Sequence, residues 1–280
     1  MNVLIHGIDE MRRRAAQART GGQGIGLVPT MGALHEGHLS LVRRAASENG
    51  LSVVSVFVNP IQFDDPDDLV GYPGTLDEDA EAAFAAGANV VFAPSAKEMY
   101  PEGFSTYVDM TGVSERLCGA SRASHFRGVL TVVSKLFGIC MPDRAYFGEK
   151  DAQQLAVVKK MAAELCMNVD VVGCPTVREG DGLAMSSRNE RLSPEGRVSA
   201  RCLYRALSEA KSRFGAGETD TGALAAAMRA IVEMEPLSRI DYAEIVDPLS
   251  FETAPAAREG DLAALAVFIG GTRLIDNMRL

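Results

Sequence analysis

The residue types best suited to chemistry lie in the segment Leu27–His38, where two histidines stand three positions apart. An apolar run ends at Val28, and a helical pattern begins near Gly37. His35 and His38 therefore flank a helix N-terminus, where free backbone N–H groups and the positive end of the helix dipole favour a phosphate. Gly37 lets that phosphate approach the backbone closely. A pair of helix-start histidines without a ligand is the alternative, and these residues alone leave both interpretations open.

A second candidate segment is Gly182–Asn189, which places two serine hydroxyls before the guanidinium of Arg188. Hydroxyls and a guanidinium on a glycine-flanked loop are donors that suit phosphate oxygens. A solvated surface loop is the alternative interpretation, and the segment alone does not decide between the two.

A third candidate segment, Phe147–Gln154, follows a strand pattern and opens a helix. Gly148 lets the backbone approach a ligand, and Lys150 offers a point charge. Asp151 fits the N-cap of the helix, which is compatible with a role in binding. Two side-chain amides that can distinguish donors from acceptors follow at Gln153 and Gln154.

The elements that must position these segments alternate between short β-branched runs and helical periodicity, which is typical of βαβ units around a parallel sheet. We predict strands over Ile25–Val28, Leu51–Val58, Asn89–Phe92, Ala145–Gly148 and Val169–Val172. We predict helices over Gly37–Glu48, Leu76–Ala86, Val129–Met141 and Asp151–Cys166. The fold class is therefore α/β, with a Rossmann-like doubly wound parallel sheet. Ligands of such sheets bind beyond the carboxyl ends of the strands, so the candidate segments indicate one site for a nucleoside triphosphate.

The pattern changes after Pro175. We predict two amphipathic helices over Pro194–Phe214 and Thr221–Glu235, and then three strands over Ile240–Val246, Leu262–Phe268 and Thr272–Ile275, with a Gly-Gly turn at 270–271. This order favours two domains. The first is a Rossmann-like nucleotide-binding domain over residues 1–176, and the second is a smaller C-terminal α+β domain over residues 177–280 that carries the Met185–Arg188 loop.

Composition narrows the classes of function. The chain has 280 residues, and 28 Lys+Arg against 37 Asp+Glu give a net charge of −9. This balance argues against nucleic-acid binding, which depends on clustered Lys and Arg. The five cysteines include no CxxC pair, the N-terminus lacks a secretory signal, and no apolar run is long enough to cross a membrane. We expect a cytoplasmic protein with reduced cysteines.

Two common nucleotide-binding motifs are excluded. The glycine-rich stretch Gly21–Gly26 gives GxGxxG in no register, and it precedes a predicted strand instead of following one. No Walker A sequence occurs anywhere in the chain, which excludes a P-loop kinase or ATPase.

Five ordered blocks carry a more specific signal: PTMGALHEGH at 29–38, SVFVNPIQF at 55–63, HFRGVLTVVSKLF at 125–137, PDRAYFGEKDAQQL at 142–155 and VREGDGLAMSSRN at 177–189. Together these blocks resemble the pantoate–β-alanine ligases (pantothenate synthetases), a family of the nucleotidyltransferase superfamily that has an HxGH signature. They run in family order from residue 29 to residue 189.

The resemblance implies a two-step ligation. The carboxylate of pantoate attacks the α-phosphorus of ATP to give pantoyl adenylate and pyrophosphate, and the amine of β-alanine then attacks the activated acyl carbon and releases AMP. The first step needs no strong general base, because a carboxylate is already ionised at neutral pH. The resemblance also implies Mg²⁺, a homodimer, and a first domain that binds pantoate as well as the nucleotide.

The resemblance assigns roles to individual residues. It implies that His38, His35 and Lys150 are catalytic, with His38 protonating or stabilising the leaving pyrophosphate. The implied ATP contacts are Met31, Gly32, His35, Gly37, His38, Gly148, Lys150, Asp151, Val177, Met185, Ser186, Ser187 and Arg188. The amides of Gln62 and Gln154 would hold pantoate, and Gln62 would also lie near β-alanine. The wall of the pocket would include Asn59, Tyr72, Arg122 and His125.

One position departs from the family pattern. The family usually has Tyr-Pro-Arg-Thr where this chain has Tyr-Pro-Gly-Thr at 72–75, so Gly74 replaces an arginine. The change puts in doubt a phosphate-clamping role for that loop. Asp77, Glu78 and Asp79 follow it, and we interpret them as a solvated acidic helix start in preference to a Mg²⁺ site.

Three other functions compete with the ligase. Another HxGH enzyme would transfer a nucleotide and stop there, but the Gln62 and Gln154 pair suits a small hydroxy acid better than a phosphorylated acceptor. A tRNA-binding or regulatory module would need a basic stripe, which the net charge of −9 opposes. A catalytically silent nucleotide-binding protein would not need the two histidines and Lys150.

Overall fold

The computed structural model describes residues 2–63, 69, 71 and 74–280. The chain forms two compact units. Unit 1 comprises Met1–Met110, Arg122–Glu149 and Val157–Pro175, and unit 2 comprises Thr111–Ser121, Lys150–Ala156 and Thr176–Leu280. The predicted division of binding functions between residues 1–176 and 177–280 stays a prediction.

Unit 1 is built on a parallel sheet. Its strands are β1 (Val3–Ile5), β2 (Ile25–Thr30), β3 (Leu51–Val56), β4 (Val90–Phe92), β5 (Arg144–Gly148) and β6 (Asp170–Cys174). They lie in the order β1-β4-β3-β2-β5-β6, and every neighbouring pair is parallel. The α/β, Rossmann-like prediction is confirmed.

Helices flank this sheet because its central strands are apolar on both faces. The helices are α1 (Ile8–Thr20), α2 (Glu36–Glu48), α3 (Leu76–Ala85), a short helix at Ala96–Met99, α4 (His125–Cys140) and α5 (Ala152–Glu164), of which the residues from Val157 onward belong to unit 1. Val28 of β2, Val42 of α2 and Val54 of β3 pack in one buried cluster with Tyr146 of β5.

Two elements at the start of the chain, β1 and α1, are missing from the sequence-based prediction. β1 has three residues, and α1 buries only Met11, Ala15 and Ala18, so neither produces a strong periodic signal. As a consequence, the strand before the histidine pair is the second in the chain and not the first. It is also central, because β2 pairs with both β3 and β5.

The topological switch point of the sheet lies between β2 and β5. From β2 the chain moves outward through β3 to β4, and it later returns to the other side of β2 with β5 and β6. In open α/β sheets this is the place where a crevice for ligands forms beyond the carboxyl ends of the strands. Met31 and Gly32 follow β2 there, and Gly148 ends β5.

Unit 2 combines helices with an antiparallel sheet. Its principal elements are α6 (Pro194–Ser199), α7 (Cys202–Gly215), α8 (Thr221–Glu233), β7 (Ser238–Val246), β8 (Leu262–Ile269) and β9 (Thr272–Arg279), and a short helix at Cys118–Ser121 also belongs to it. The sheet order is β7-β8-β9, as expected for a meander. The Gly-Gly turn between β8 and β9 is confirmed, with positive φ at both glycines.

The helix predicted over Pro194–Phe214 is wrong in one respect, because it is two helices. The chain leaves α-helical geometry at Ala200 and Arg201, where the Arg201 N–H bonds to the Val198 carbonyl with the three-residue spacing of a tighter turn. The buried residues of α7, which include Leu203 and Leu207, pack against the sheet of unit 2.

All five cysteines are free thiols, and Cys166 alone among them is exposed. Burial raises the pKa of the Cys140 thiol to about 12, so this thiol stays protonated at neutral pH. Within the described residues, no helix is long and apolar enough to span a membrane.

Candidate active site

The turn between β2 and α2 has a strained backbone. Gly32 has φ of +89° and Ala33 has φ of +51°. Residues other than glycine rarely adopt a positive φ. A Cβ at Gly32 would also lie 2.8 Å from Oδ2 of Asp79, so the position requires glycine for two reasons.

Asp79, near the start of α3, holds this turn. Its carboxylate accepts the N–H of Ala33 at 3.0 Å and the N–H of Leu34 at 2.7 Å, and it also accepts the hydroxyl of Thr75 at 3.0 Å. Only 4% of the residue is exposed. The interpretation of this acidic run as solvated is therefore wrong for Asp79, although it holds for Asp77 and Glu78. A carboxylate with these partners is a poor candidate for a metal ligand.

The two signature histidines form the N-terminal cap of α2. His35 is the N-cap residue, and its Nδ1 accepts the N–H of Gly37 at 3.1 Å. The Nδ1 of His38 lies 3.4 Å from the backbone nitrogen of His35 and accepts its N–H. The two rings are half-buried and their centroids are 4.0 Å apart. Each imidazole thus uses one ring nitrogen to satisfy backbone donors at the helix start.

These hydrogen bonds determine the tautomer of both rings. A nitrogen that accepts an N–H carries no proton, so a neutral ring that accepts through Nδ1 carries its proton on Nε2. His35 and His38 can therefore each donate a hydrogen bond through Nε2. Two such donors beside the N-terminus of α2 suit a phosphate and can stabilise charge that develops on it.

Gln62 is part of a chain of hydrogen bonds within unit 1 that runs from Tyr100 through Asn59 and Gln62 to Met31. Its Oε1 accepts from Nδ2 of Asn59 at 2.9 Å, and its Nε2 donates to the sulfur of Met31 at 2.9 Å. Asn59 also donates to the Gly128 carbonyl at 3.1 Å and accepts the hydroxyl of Tyr100 at 2.7 Å. The chain joins a predicted pantoate residue to a predicted ATP residue, Met31.

The backbone of Gln62 connects to the start of α4. Its carbonyl accepts a hydrogen bond from Nη2 of Arg122 at 3.2 Å and lies 3.1 Å from Nδ1 of His125. The structure thus brings together three of the residues assigned to the pocket wall, Asn59, Arg122 and His125, around Gln62. The fourth, Tyr72, lies outside the described residues.

The residues of the Phe147–Gln154 segment differ in their surroundings. A Cβ at Gly148 would meet nothing within 4 Å, so packing does not explain this glycine. The ammonium of Lys150 lies 3.5 Å from the Asp151 carboxylate, and the Lys150 carbonyl accepts from Asn277 at 2.8 Å within unit 2. Gln154 is half-buried. Ligand contacts by Gly148, Lys150, Asp151 and Gln154 stay predictions.

The prediction that Gln153 offers its amide to a ligand is wrong. The residue is 6% exposed. Its Nε2 donates to the carbonyls of Val113 and Arg116 at 2.8 and 2.7 Å, and its Oε1 accepts the N–H of Cys118 at 3.1 Å. The amide holds the turn at 113–118 in unit 2.

The serine–arginine segment is positioned by a buried ion pair in unit 2. Arg178 donates two hydrogen bonds to Asp276, at 2.6 and 3.0 Å, and a third to the Gly182 carbonyl at 3.0 Å. The carboxylate of Asp276 has no exposed surface, and its burial raises its pKa while Arg178 opposes that shift. This pair fixes the start of the loop that leads to Met185.

The predicted ATP residues between Val177 and Arg188 lie in one segment of unit 2. The N–H of Met185 donates to the Val177 carbonyl at 3.0 Å. The hydroxyl of Ser186 caps a short 3₁₀ helix, Ser187–Arg191, by accepting the N–H of Arg188 at 3.3 Å. All of these residues are half-buried. Their contact with a nucleotide stays a prediction.

The sequence-based prediction gave no positioning role to three residues that have one in the structure: Asp79, Tyr100 and Asp276. Each acts through a contact that is distant in sequence, 45 residues from Leu34 for Asp79, 41 from Asn59 for Tyr100 and 98 from Arg178 for Asp276. No local pattern marks such contacts. The described residues include no group of three or more His, Cys, Asp or Glu side chains that could hold a metal ion.

Comparison with known proteins supports one assignment. The sequence matches the family described as pantoate-beta-alanine ligase over residues 3–279. A pantothenate synthetase from Acetivibrio thermocellus is 50% identical over 275 residues, which cover 98% of each chain. One from Moorella thermoacetica is 50% identical over 277 residues, which cover 99% of this chain and 98% of the relative.

Solved structures agree with the sequence relatives. The crystal structure of pantothenate synthetase from Thermus thermophilus superposes with a TM-score of 0.94 at 44% identity and covers 99% of both chains. A pantoate-beta-alanine ligase from Francisella tularensis, crystallised with beta-gamma ATP and β-alanine, gives a TM-score of 0.80 at 32% identity over 100% of this chain and 98% of that one. The whole chain, including the histidine-capped helix and both units, therefore belongs to the pantoate–β-alanine ligase family.

Proposed function

We propose that this protein joins pantoate to β-alanine in an ATP-dependent reaction that yields pantothenate, AMP and pyrophosphate. The observation that carries the proposal is the family match, which spans residues 3–279 and so leaves neither unit unaccounted for. ATP is a substrate of this reaction, and the small acid and the amine are the other two.

The first step is the transfer of an adenylyl group. A carboxylate oxygen of pantoate forms a bond to the α-phosphorus of ATP while the bond from that phosphorus to the α–β bridging oxygen breaks, and pyrophosphate leaves with the electron pair of that bond. The pair of Nε2–H donors on His35 and His38, together with the N-terminus of α2, would stabilise the negative charge that grows on the phosphates. We assign His38 to the leaving pyrophosphate.

The second step forms the amide bond. The uncharged amine of β-alanine attacks the acyl carbon of pantoyl adenylate, AMP leaves with the electron pair of the broken C–O bond, and the amine loses a proton to solvent water. Positioning provides most of the catalysis in such a step. We assign Gln62 to both small substrates and Gln154 to pantoate.

We assign further ATP contacts to Met31, Gly32, Gly37, Gly148, Lys150, Asp151, Val177, Met185, Ser186, Ser187 and Arg188. We also assign to Lys150 a positive charge that contributes to catalysis. The side chain of Lys150 is 19% exposed, a degree of burial at which a positive charge interacts strongly with an anion.

Mg²⁺ is the metal we propose, and we expect it to arrive with ATP. This ion keeps several waters and binds mainly through substrate phosphates, so it needs no dedicated set of protein ligands. We also propose that the enzyme is a homodimer and acts in the cytoplasm. These three features rest on the resemblance to the family.

The test is the release of pyrophosphate and AMP from ATP and Mg²⁺. Pyrophosphate should appear with pantoate alone, and sustained AMP release should require β-alanine as well. Pyrophosphate that appears only with another acceptor would overturn the substrate assignment. Absence of turnover with every acceptor would indicate a silent nucleotide-binding protein.

A further inference from the structure

The carbonyl of Gly128 determines the orientation of the Asn59 side chain. A carbonyl oxygen can only accept, so the Asn59 atom that lies 3.1 Å from it must be the amide nitrogen, Nδ2. The other amide atom, Oδ1, therefore faces the hydroxyl of Tyr100 at 2.7 Å. Asn59 is 1% exposed, so an unpaired atom on this side chain would cost free energy.

The orientation of Asn59 in turn determines that of Gln62. The Nδ2 of Asn59 points its second proton at Gln62, so the atom 2.9 Å away must be the acceptor Oε1. The Nε2 of Gln62 then points away from Asn59 and donates to the Met31 sulfur. Because a thioether is a weak acceptor, a ligand oxygen can replace it at little cost.

Tyr100 completes the chain from the other end. Burial raises the pKa of its phenol, which therefore stays protonated and can donate to Asn59. The close approach that brings the Gly128 carbonyl into place depends on glycine, since a Cβ there would lie 2.5 Å from the Ile61 carbonyl oxygen.

We propose that Tyr100 is a positioning residue that acts through Asn59 to present Gln62 to the pocket as a hydrogen-bond donor. The small acid bound there must then offer Gln62 an acceptor oxygen, from a carboxylate or a hydroxyl. The proposal rests on the proposed function, because it takes Gln62 to be a pantoate residue.

The experiment measures KM for pantoate and for ATP, kcat and Tm in Tyr100→Phe. Loss of the donor leaves a buried acceptor on Asn59 unpaired, and we expect KM for pantoate to rise roughly tenfold. KM for ATP should change little, whereas Tm should fall by a few degrees because the unpaired acceptor also lowers stability. Tyr107→Phe is the matched control, because Tyr107 packs against Phe104 as Tyr100 does but is 40% exposed.

A double mutant separates positioning from a merely structural role. In a Gln62→Met background the donor is already gone, so Tyr100→Phe should add less than about a twofold change in KM for pantoate. An equal effect in both backgrounds would overturn the proposal. Gln62→Glu should raise KM for pantoate more than Gln62→Met, since it places an acceptor where a donor is needed. A larger rise in KM for pantoate in Gln62→Met than in Gln62→Glu would also contradict the proposal.

Failure of the proposed function would look different. If the wild-type protein does not turn over pantoate, the activity itself is wrong. If it does, and Gln62→Met leaves KM for pantoate unchanged, then Gln62 is not a pantoate residue and the positioning proposal is overturned while the ligase activity stands.

Discussion

The carboxylate of Asp79 accepts the backbone N–H of Leu34 at 2.7 Å, one residue before the N-cap histidine of α2. With the bond to Ala33, this contact ties the start of α3 to the strained turn after β2. A positive φ at Ala33 costs on the order of 1 kcal/mol by itself, and the two hydrogen bonds to Asp79 help to offset this cost. The position of His35 thus depends on a carboxylate that lies on another helix.

Asp79→Asn should impair adenylate formation. Asparagine offers a single acceptor and turns an N–H toward one of the two backbone donors, so we expect a stability loss of about 1–3 kcal/mol. Misplacement of His35 should slow pyrophosphate release by roughly 10²-fold. Single-turnover release and urea unfolding measure the two effects. Asp77→Asn, an exposed change on the same helix, is the control, and equal results for both variants would contradict the positioning role.

His38→Ala should lower the rate of adenylate formation by roughly 10²–10³-fold, since one preorganised donor to a developing charge commonly contributes that much. The fold should persist, because a lost hydrogen bond at a half-buried helix cap costs only about 1 kcal/mol. His6→Ala serves as the control, because that ring is exposed and bonds to the Ala93 carbonyl instead. A near-normal single-turnover rate in His38→Ala would contradict the assignment.

Gly74→Arg should restore the family pattern without loss of stability. A Cβ at Gly74 would meet nothing within 4 Å, and the residue is exposed, so we expect a change in unfolding free energy of about 0.5 kcal/mol or less. If the family arginine clamps phosphate, KM for ATP should fall. Steady-state kinetics over a range of ATP concentrations decide this, with Gly74→Ala as control. An unchanged KM would show that the loop has no such role.

Asp181 should make stability depend on pH below about 4. Hydrogen bonds from Arg197, at 2.8 and 3.1 Å, lower the pKa of this carboxyl despite an opposing effect of partial burial. A carboxyl whose pKa is lower when folded contributes stability above the unfolded pKa of about 3.9, and this is lost as pH falls through the folded value. Asp181→Asn should thus have a lower Tm at pH 7, and the difference should shrink progressively as pH falls below about 4. A constant difference would contradict the linkage.

Much of the fold follows from local sequence. The strands of the parallel sheet from β2 onward are short apolar runs between turns, and the helix starts at the histidine pair and at Leu76 coincide with the predicted ones to within a residue. The predictions failed where the local signal is weak, as for β1 and α1, or where one periodic stretch is interrupted by a tight turn, as at Ala200.

The candidate site was predictable only in part. The HxGH pattern identifies His35 and His38 because their spacing and their position before a helix are both visible in sequence. The roles of Asp79 and Gln153 depend on which backbone groups lie nearby in the folded chain. The sequence indicated a solvated helix start for Asp79 and a ligand-binding amide for Gln153, and both residues are buried with their polar atoms used by the fold.

In the cap formed by His35 and His38, the Nδ1 of each ring accepts a backbone N–H, and the Nε2 of each ring can donate to a ligand. Asparagine at His35 could still end the helix, since it is a strong N-cap residue, but its shorter side chain provides no group at the Nε2 position. Glutamine reaches that position but leaves the cap without its acceptor. Under the proposed function, selection for helix stability and selection for catalysis would act on the same two side chains, and of histidine, asparagine and glutamine only histidine would satisfy both requirements.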